Sequence, residues 1–434
     1  MLNTTMQAAF TRREFVHSGM AVVSTAATIP TFLHQSAYAL VDPEDMPLVK
    51  DQPGIPQDRI LVVVQLSGGN DGLNTVVPYG NPAYYNARPG LALRENQVLP
   101  LNGGDGIGLH WQLEPLREML DEGLASIIQG VGYPNPNRSH FASMDIYHTC
   151  QARGGKGLGW LGQLLDQIDP TNGTSLIALS GEAPLAGQGQ KTQPIAFENP
   201  KLFRWIGSEM HAALEARYQQ ISRDSVEDPN GIGTLIPQPD NPRSFIRRTA
   251  MDAQVASQRI NEAVAQGSVT SYPGGQLSEQ LRMVGAMIRA GLGTRVFYVG
   301  LNGFDTHAGQ AGRHANLLRQ FSVAMRAFYR ELQAIGQDQR VLTLAFSEFG
   351  RRVGKNASQG TDHGTAGPMF MFGPMIRSGL LGKHPSLAKL DQGDLIYNVD
   401  FRSVYAAVME KWLKADSRKV LGKTFRPANV LKNV

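Results

Sequence analysis

The chain has 434 residues, 18% of them charged, and a formal net charge of +4. Its lysines and arginines are spread along the length without a basic block, which argues against a nucleic-acid partner. A single cysteine, Cys150, excludes an internal disulfide, and the length suits either two or three average domains or one large α/β domain.

The N-terminus reads as an address. Thr11-Arg12-Arg13-Glu14-Phe15 has the twin-arginine form, a moderately apolar stretch runs from Met20 to Leu33, and Ala37-Tyr38-Ala39 is a small-x-small cleavage site. These features predict a signal peptide over residues 1–39, handled by the twin-arginine translocase, and a mature domain over 40–434 in the periplasm or outside the cell. Ser, Thr and Pro interrupt the apolar stretch, which is too short for a stable membrane span.

The first core strand is the run from Ile60 to Gln65, leading into Leu66-Ser67-Gly68-Gly69-Asn70-Asp71-Gly72. The glycines permit a tight turn, but there is neither GxGxxG spacing nor a P-loop lysine, so no nucleotide cradle is indicated. Asp71 lies just past the carboxyl end of a buried strand, where open α/β sheets build their sites; Asn70-Asp71-Gly72 also reads as a plain turn.

A helix is expected over Leu113 to Leu120 and a strand over Ala125 to Gln129. The next helix begins at Ser139 and runs through Ile146. Ser139 is either an ordinary N-cap or a hydroxyl placed in the field of a helix N-terminus, which favours anions. Arg138 beside it either holds an anion's oxygens or is solvated. Cys150, at the end of this helix, reads as a packing residue.

From about Ser180 to Gly275 the composition shifts toward Gly, Gln, Pro and Asn, with helices expected near Glu209 to Ile221 and Ser244 to Ala265 and no evident sheet strand. This stretch reads as a helical insertion, either a cap over a site or a surface decoration. The core resumes with an amphipathic helix through Leu277, Leu281, Val284 and Ile288. The strand from Arg295 to Val299 follows and delivers Asp305 and His307. Leu318, Phe321, Met325, Phe328, Leu332 and Ile335 mark the clearest helix, with His314 near its start read as a surface or capping residue. The strand Val341 to Phe346 ends in Ser347 and Glu348. A Gly-rich loop then carries Asp362 and His363 to a second apolar run, Met369 to Phe372, and a helix capped by Asp400 and packed through Val404, Val408 and Trp412 closes the chain.

Asp71, Ser139, Asp305, His307 and Glu348 all follow strands of one expected parallel sheet, and His363 precedes another. Carboxylates and imidazoles around a hydroxyl suit one or two divalent cations that polarise a phosphoryl-like group and activate an oxygen nucleophile. A rival reading is a non-catalytic binding or assembly protein at the cell surface that keeps the fold and a degenerate ion site.

The twin-arginine start, LSGGNDGLNTVVPY, NRSHF, GFDTHAGQ, FSEFGR and GTDHGTAGPMFMFG together closely resemble an exported bacterial family, domain of unknown function 1501. That family is similar in turn to a distant branch of the alkaline phosphatase and sulfatase superfamily. The resemblance implies an α/β/α sandwich with a mostly parallel central sheet and hydrolysis of a phosphate or sulfate ester, an anionic substrate. It implies Ser139 as the nucleophile and Asp71, Asp305, His307, Glu348 and His363 as ligands of a divalent metal: zinc, manganese or calcium, as one or two ions. Arg138, His140 and Arg351 complete the expected site as groups that meet the anion. The sequence departs from that superfamily where Glu348-Phe349-Gly350 stands in place of Asp-His-Gly; an alternative register sets Asp362-His363-Gly364 against that motif.

Overall fold

A computed structural model describes residues 58–151, 157–170, 174–200 and 256–432 of the chain. The expected signal peptide lies outside the described residues, as do the helix expected near Glu209 to Ile221 and the first part of that near Ser244 to Ala265; residues 256–265 are helical.

Nine strands form the main sheet. They are β1 (Ile60–Ser67), β2 (Ala125–Gly132), β3 (Leu176–Ala178), β4 (Ile195–Ala196), β5 (Val296–Asn302), β6 (Val341–Phe346), β7 (Gly367–Phe372), β8 (Gly379–Leu381) and β9 (Val399–Asp400). Across the sheet the order is β8-β2-β7-β6-β1-β5-β3-β4, with β9 also on β2. β1 lies at the centre, parallel to β5 and β6. Only β7 runs antiparallel, to both β6 and β2. The short β4 falls in the stretch read as free of sheet strands. It adds Ile195 and Ala196 to the edge beside β3, two residues being too few to give a periodic signal.

Alternate residues of β1 enter different cores, as the period of two requires. Ile60, Val62, Val64 and Leu66 pack with α1 (Glu114–Asp121), α4 (Gln276–Arg289) and α5 (Gln310–Ala334). Leu61 and Val63 join the core beneath α2 (His140–Thr149), α3 (Trp160–Ile168) and α6 (Phe401–Ala407). A strand buried on both faces by two helical layers is an α/β/α sandwich, the architecture expected from the near-continuous apolar runs.

The polarity of β7 decides where its leading loop goes. Because β7 opposes its neighbours, its first residue lies at the edge where β1, β2, β5 and β6 end. His363, four residues before β7, therefore reaches the same edge as residues that follow parallel strands.

His314 corrects a reading made from sequence. It is 2% exposed, not a surface residue. α5 begins at Gln310, so His314 continues the buried stripe of Leu318 and Phe321 by one step of four, and its Nε2 lies 2.9 Å from Asn70 Oδ1. Cys150 is buried at the end of α2 in the left-handed conformation (φ 62°), where burial pushes its thiol pKa up. Among the described residues no helix is long and apolar enough to cross a membrane.

Candidate functional site

Loops after β1, β2, β5 and β6 meet the loop before β7 at one edge of the sheet, and their backbones interlock. The turn after β1 requires glycine at position 68: with φ at 117°, a Cβ there would stand 2.4 Å from the Asp305 nitrogen. The loop carrying Asp362 and His363 folds back on the segment after β6 through Arg352 N–H to Asp362 O at 3.0 Å and Gly364 N–H to Gly350 O at 2.9 Å. Arg351 sits beneath with no exposed side-chain surface. Its guanidinium donates to the carbonyls of Gly69 at 2.8 Å, Thr361 at 2.9 Å, Phe304 at 3.0 Å and also Gly68.

Three imidazoles converge on Asp305. Its Oδ1 lies 3.0 Å from His307 Nε2, 3.1 Å from His363 Nε2 and 3.4 Å from His140 Nε2. His140, Asp305 and His363 each offer a ligand atom within 4.8 Å of the others, and His307 Nε2 joins them 2.9 Å from His363 Nε2.

The opposite nitrogen of every ring faces an oxygen. His140 Nδ1 is 2.8 Å from Glu348 Oε1, His307 Nδ1 is 3.0 Å from Asp362 Oδ1, and His363 Nδ1 is 2.7 Å from the Arg138 carbonyl. A carbonyl only accepts, so His363 carries its proton on Nδ1 and a lone pair on Nε2; ionised carboxylates impose the same tautomer on the other two neutral rings. Metal-binding histidines are held in this way, through a second nitrogen that donates to a carboxylate or carbonyl.

This arrangement leaves lone pairs pointing at one another and at a carboxylate oxygen. The His140 Nε2 atom is buried without a hydrogen-bond partner. Four-coordinate ligands at about 2.0–2.1 Å from a cation stand about 3.3 Å apart, and the three imidazole Nε2 atoms lie 3.0–3.4 Å from Asp305 Oδ1. His140, Asp305 and His363 therefore fit a divalent cation, with His307 beside them and its Nε2 also 3.5 Å from Arg351 Nη1. The nitrogen-rich donor set suits zinc or another borderline transition metal more than calcium, which takes six to eight oxygens.

Charge is arranged to keep the carboxylates ionised. Partial burial opposes ionisation of Asp305, but Arg351 at 2.6 Å and the neighbouring histidines hold its pKa down at about 2. Asp362 is lowered by hydrogen bonds from Asn356 and His307. The Glu348 carboxylate raises the pKa of His140, whereas burial lowers that of His363.

The expected site residues thus separate into three sets. Asp305, His307 and His363 meet directly, while Glu348 stands behind His140 instead of facing the centre. His140, expected to meet the anion, belongs to the imidazole group. Asp71 is engaged elsewhere: it is fully buried, paired with Arg88 Nη1 at 2.6 Å, caps the Leu73 N–H at 3.2 Å and accepts from the Gln310 amide. Both of its oxygens are occupied, and Arg88, Gln310 and burial set its environment. Arg351 is bound to backbone and Asp305. Arg138 donates through Nε to Asp394 at 2.8 Å. Ser139 precedes α2 but forms no side-chain cap bond, and it lies exposed next to His140.

Asp362 was placed beside His363 on the Gly-rich loop but not among the expected site residues, and Arg88 was missed. The Asp362-His363 pairing signals the former; nothing local signals the latter, whose partner lies 17 residues away.

The profile of a family described as "Protein of unknown function (DUF1501)" matches residues 123–409, more than half of the chain. No curated protein matches. Among solved structures, the chain is similar to the PsFucS1 sulfatase from Pseudoalteromonas sp., with 11% identity, 86% of this chain and 73% of that one covered, and a TM-score of 0.35. It is also similar to the lipoteichoic acid synthase LtaP from Listeria monocytogenes, with 10% identity over 87% and 77% of the two chains and a TM-score of 0.31. A third is the phosphonate monoester hydrolase SpPMH from Silicibacter pomeroyi, with 8% identity over 85% and 77% and a TM-score of 0.28. These likenesses are distant, and the chemistry of the site is taken from its own residues.

Proposed function

We propose that this chain, which belongs to the DUF1501 family, is an exported hydrolase of phosphate or sulfate esters that works with a divalent cation held by His140, His307, His363 and Asp305. One observation carries the reading: three imidazoles, each with Nδ1 on an oxygen acceptor, bring Nε2 within 3.4 Å of one Asp305 carboxylate oxygen.

A cation bound there would supply charge stabilisation for an ester's non-bridging oxygens and activate an oxygen nucleophile. The remaining work falls to the chain's own groups. Glu348 and Asp362 orient His140 and His307, and the Arg138 carbonyl orients His363. Arg351 keeps Asp305 anionic from the buried side. Ser139, exposed at the N-terminus of α2 and adjacent in sequence to His140, supplies the hydroxyl that gives up its proton to solvent and attacks the ester's phosphorus or sulfur. The bond to the alcohol breaks, the alcohol leaves, and water hydrolyses the resulting seryl ester, with the helix N-terminus favouring the anionic form of the hydroxyl.

A second reading, a non-catalytic surface protein with a structural ion, is favoured by a separate observation: among the described residues, no hydrogen bond joins the Ser139 hydroxyl to the imidazoles.

Elemental analysis of protein purified without chelator or immobilised nickel tests the site, alongside a His363→Ala variant. Stoichiometric zinc or manganese in the parent and its loss from the variant are expected, followed by turnover of aryl phosphate or aryl sulfate by the loaded parent. A parent that stays metal-free after incubation with those ions overturns the cation site. A loaded parent inert toward both ester classes favours the structural-ion reading.

A further inference from the structure

Beside the imidazoles, one buried carboxylate holds two arginine side chains that the chemistry above does not use. The turn Gln392-Gly393, with φ at 52° and 86°, joins Leu390–Asp391 to Asp394–Leu395 as a tight hairpin, and positive φ is what so short a loop requires. Thr365, two residues after His363, donates to the Leu395 carbonyl at 2.6 Å and fixes the hairpin against the loop before β7. Asp394 is thereby set, 1% exposed, between the segments that follow β2 and β6.

Its two oxygens face different guanidiniums. Oδ2 accepts from Arg138 Nε at 2.8 Å and also from Arg138 Nη2. Oδ1 stands 3.6 Å from Arg352 Nε, beyond hydrogen-bond reach, and is buried without a hydrogen-bond partner. Asp394 therefore holds Arg352 by charge and leaves its donors uncommitted. Both arginines keep part of the side chain in water, 37% for Arg138 and 40% for Arg352. Two cations on one carboxylate leave a positive charge unmatched, and among the described residues Asp391, opposite Asp394 in the hairpin, forms no ion pair with either.

The pair borders the entrance to the cation site. The Arg138 carbonyl meets the His363 ring at 2.7 Å, and exposed Ser139 follows it in the chain. On the other side, Arg352 N–H donates to the Asp362 carbonyl at 3.0 Å, and its charge adds to the hydrogen bonds from Asn356 and His307 that keep the Asp362 carboxyl ionised. Asp305, His307 and Asp362 are each about half exposed, so an ester enters from solvent across this border. Because the Arg138 guanidinium is drawn to Asp394 while its carbonyl meets His363, the pair stands beside the group being transferred and meets a different one.

We infer that Arg138 and Arg352 form a clamp for a second anionic group, carried on the alcohol part of the ester, so that the substrate has at least two anionic groups. The inference rests on the ester-hydrolase reading and names the substrate class for that site. Planar guanidiniums with free N–H groups suit the oxygens of a sulfate, phosphate or carboxylate, and Asp394, by holding both in advance, lowers the cost of ordering them.

Naphthalenesulfonate and naphthalenetrisulfonate share a ring system and cannot be hydrolysed, so calorimetric titration of the cation-loaded full chain with each separates the extra charges from turnover. The trisulfonate is expected to bind at least about tenfold tighter. Arg352→Gln and Arg138→Gln should each remove most of that advantage while cation content stays at the parental value. Arg352→Gln breaks no side-chain hydrogen bond of the folded chain, so its result stands even if Arg138→Gln, which strips buried Asp394 of its donors, fails to fold. Arg319→Gln, at an exposed position beside Asn316, should retain the advantage. Equal binding of the two probes by the parent overturns the inference, as does an advantage that survives Arg352→Gln or that falls as far in Arg319→Gln. If the chain holds no cation or turns over neither ester class, while trisulfonate binding still depends on Arg138 and Arg352, the hydrolase reading falls and the clamp stands.

Discussion

His307 and His363 hold their Nε2 atoms 2.9 Å apart, although each ring has committed Nδ1 to an oxygen acceptor. Two neutral rings in these tautomers present lone pairs to each other, an arrangement that a shared cation or proton relieves. The oxygens behind the rings are therefore as much part of the site as the nitrogens in front.

Glu348→Gln tests that dependence. A glutamine oxygen still accepts from Gly68 N–H, which now bonds Glu348 Oε1 at 2.8 Å, but it offers His140 a neutral acceptor instead of a carboxylate. Cation affinity should fall about 10–100-fold, read by competition with a chromophoric chelator. Asp362→Asn should act likewise through His307, at little cost in stability because Asp362 is more than half exposed. Unchanged affinity in both variants would show that the outer oxygens do not tune the site.

Arg88→Met addresses the other carboxylate of interest. It would leave Asp71 buried, with no cationic partner, in a place where both side chains have no exposed surface. Breaking such a pair costs about 3–5 kcal/mol, so the urea midpoint should drop sharply while cation per folded chain stays at the parental value. Loss of the cation from folded Arg88→Met would instead tie Asp71 to the site.

The strand ends were legible because buried parallel strands leave apolar runs that stop at polar residues, and Asp305, His307 and Glu348 were found that way. What each residue does there was not. Asp71 and Glu348 both follow the ends of neighbouring strands, β1 and β6, yet Arg88 takes one and His140 the other, and neither partner follows from local spacing. His314 was recoverable: it stands one helical step before Leu318 on the buried stripe, and the helix start was set too late. The antiparallel run of β7 has no local signal, since a strand buried on both faces looks the same in either direction.

Buried histidines predict how stability responds to acid. Burial lowers the pKa of His314 and of His148 to about 4 and that of His110 to about 3, against about 6.5 in the unfolded chain. Between pH 6.5 and 4 the unfolded state binds more protons, so stability falls as pH falls, by at most about 1.4 kcal/mol per pH unit for each group. His140, raised by Glu348, acts in the opposite sense: its contribution is present at low pH and fades as pH rises through its folded pKa. His363 and His384, whose pKa values burial also lowers, act in the same direction as the first three, so these groups outweigh His140 and urea midpoints should decrease from pH 7 to pH 5. His148→Gln, which can still bond the Tyr298 hydroxyl now 3.0 Å away, should flatten the slope by about one proton. A midpoint that is constant or higher at pH 5 contradicts this account.

Ser139→Ala separates the nucleophile from the cation site. The side chain is exposed and makes no cap bond to α2, so its loss should change stability by no more than about 0.5 kcal/mol, less than a working N-cap would cost. Cation content should match the parent, because no ligand and none of the oxygens behind the ligands is touched. Under the proposed chemistry, turnover of an aryl phosphate or aryl sulfate should fall by at least about a thousandfold, as removal of a catalytic serine does elsewhere. The partition among these readouts carries the information: a folded, loaded and inactive variant makes Ser139 the attacking group. A variant that retains turnover within threefold assigns attack to water, and Ser139 then serves only to open the helix that presents His140.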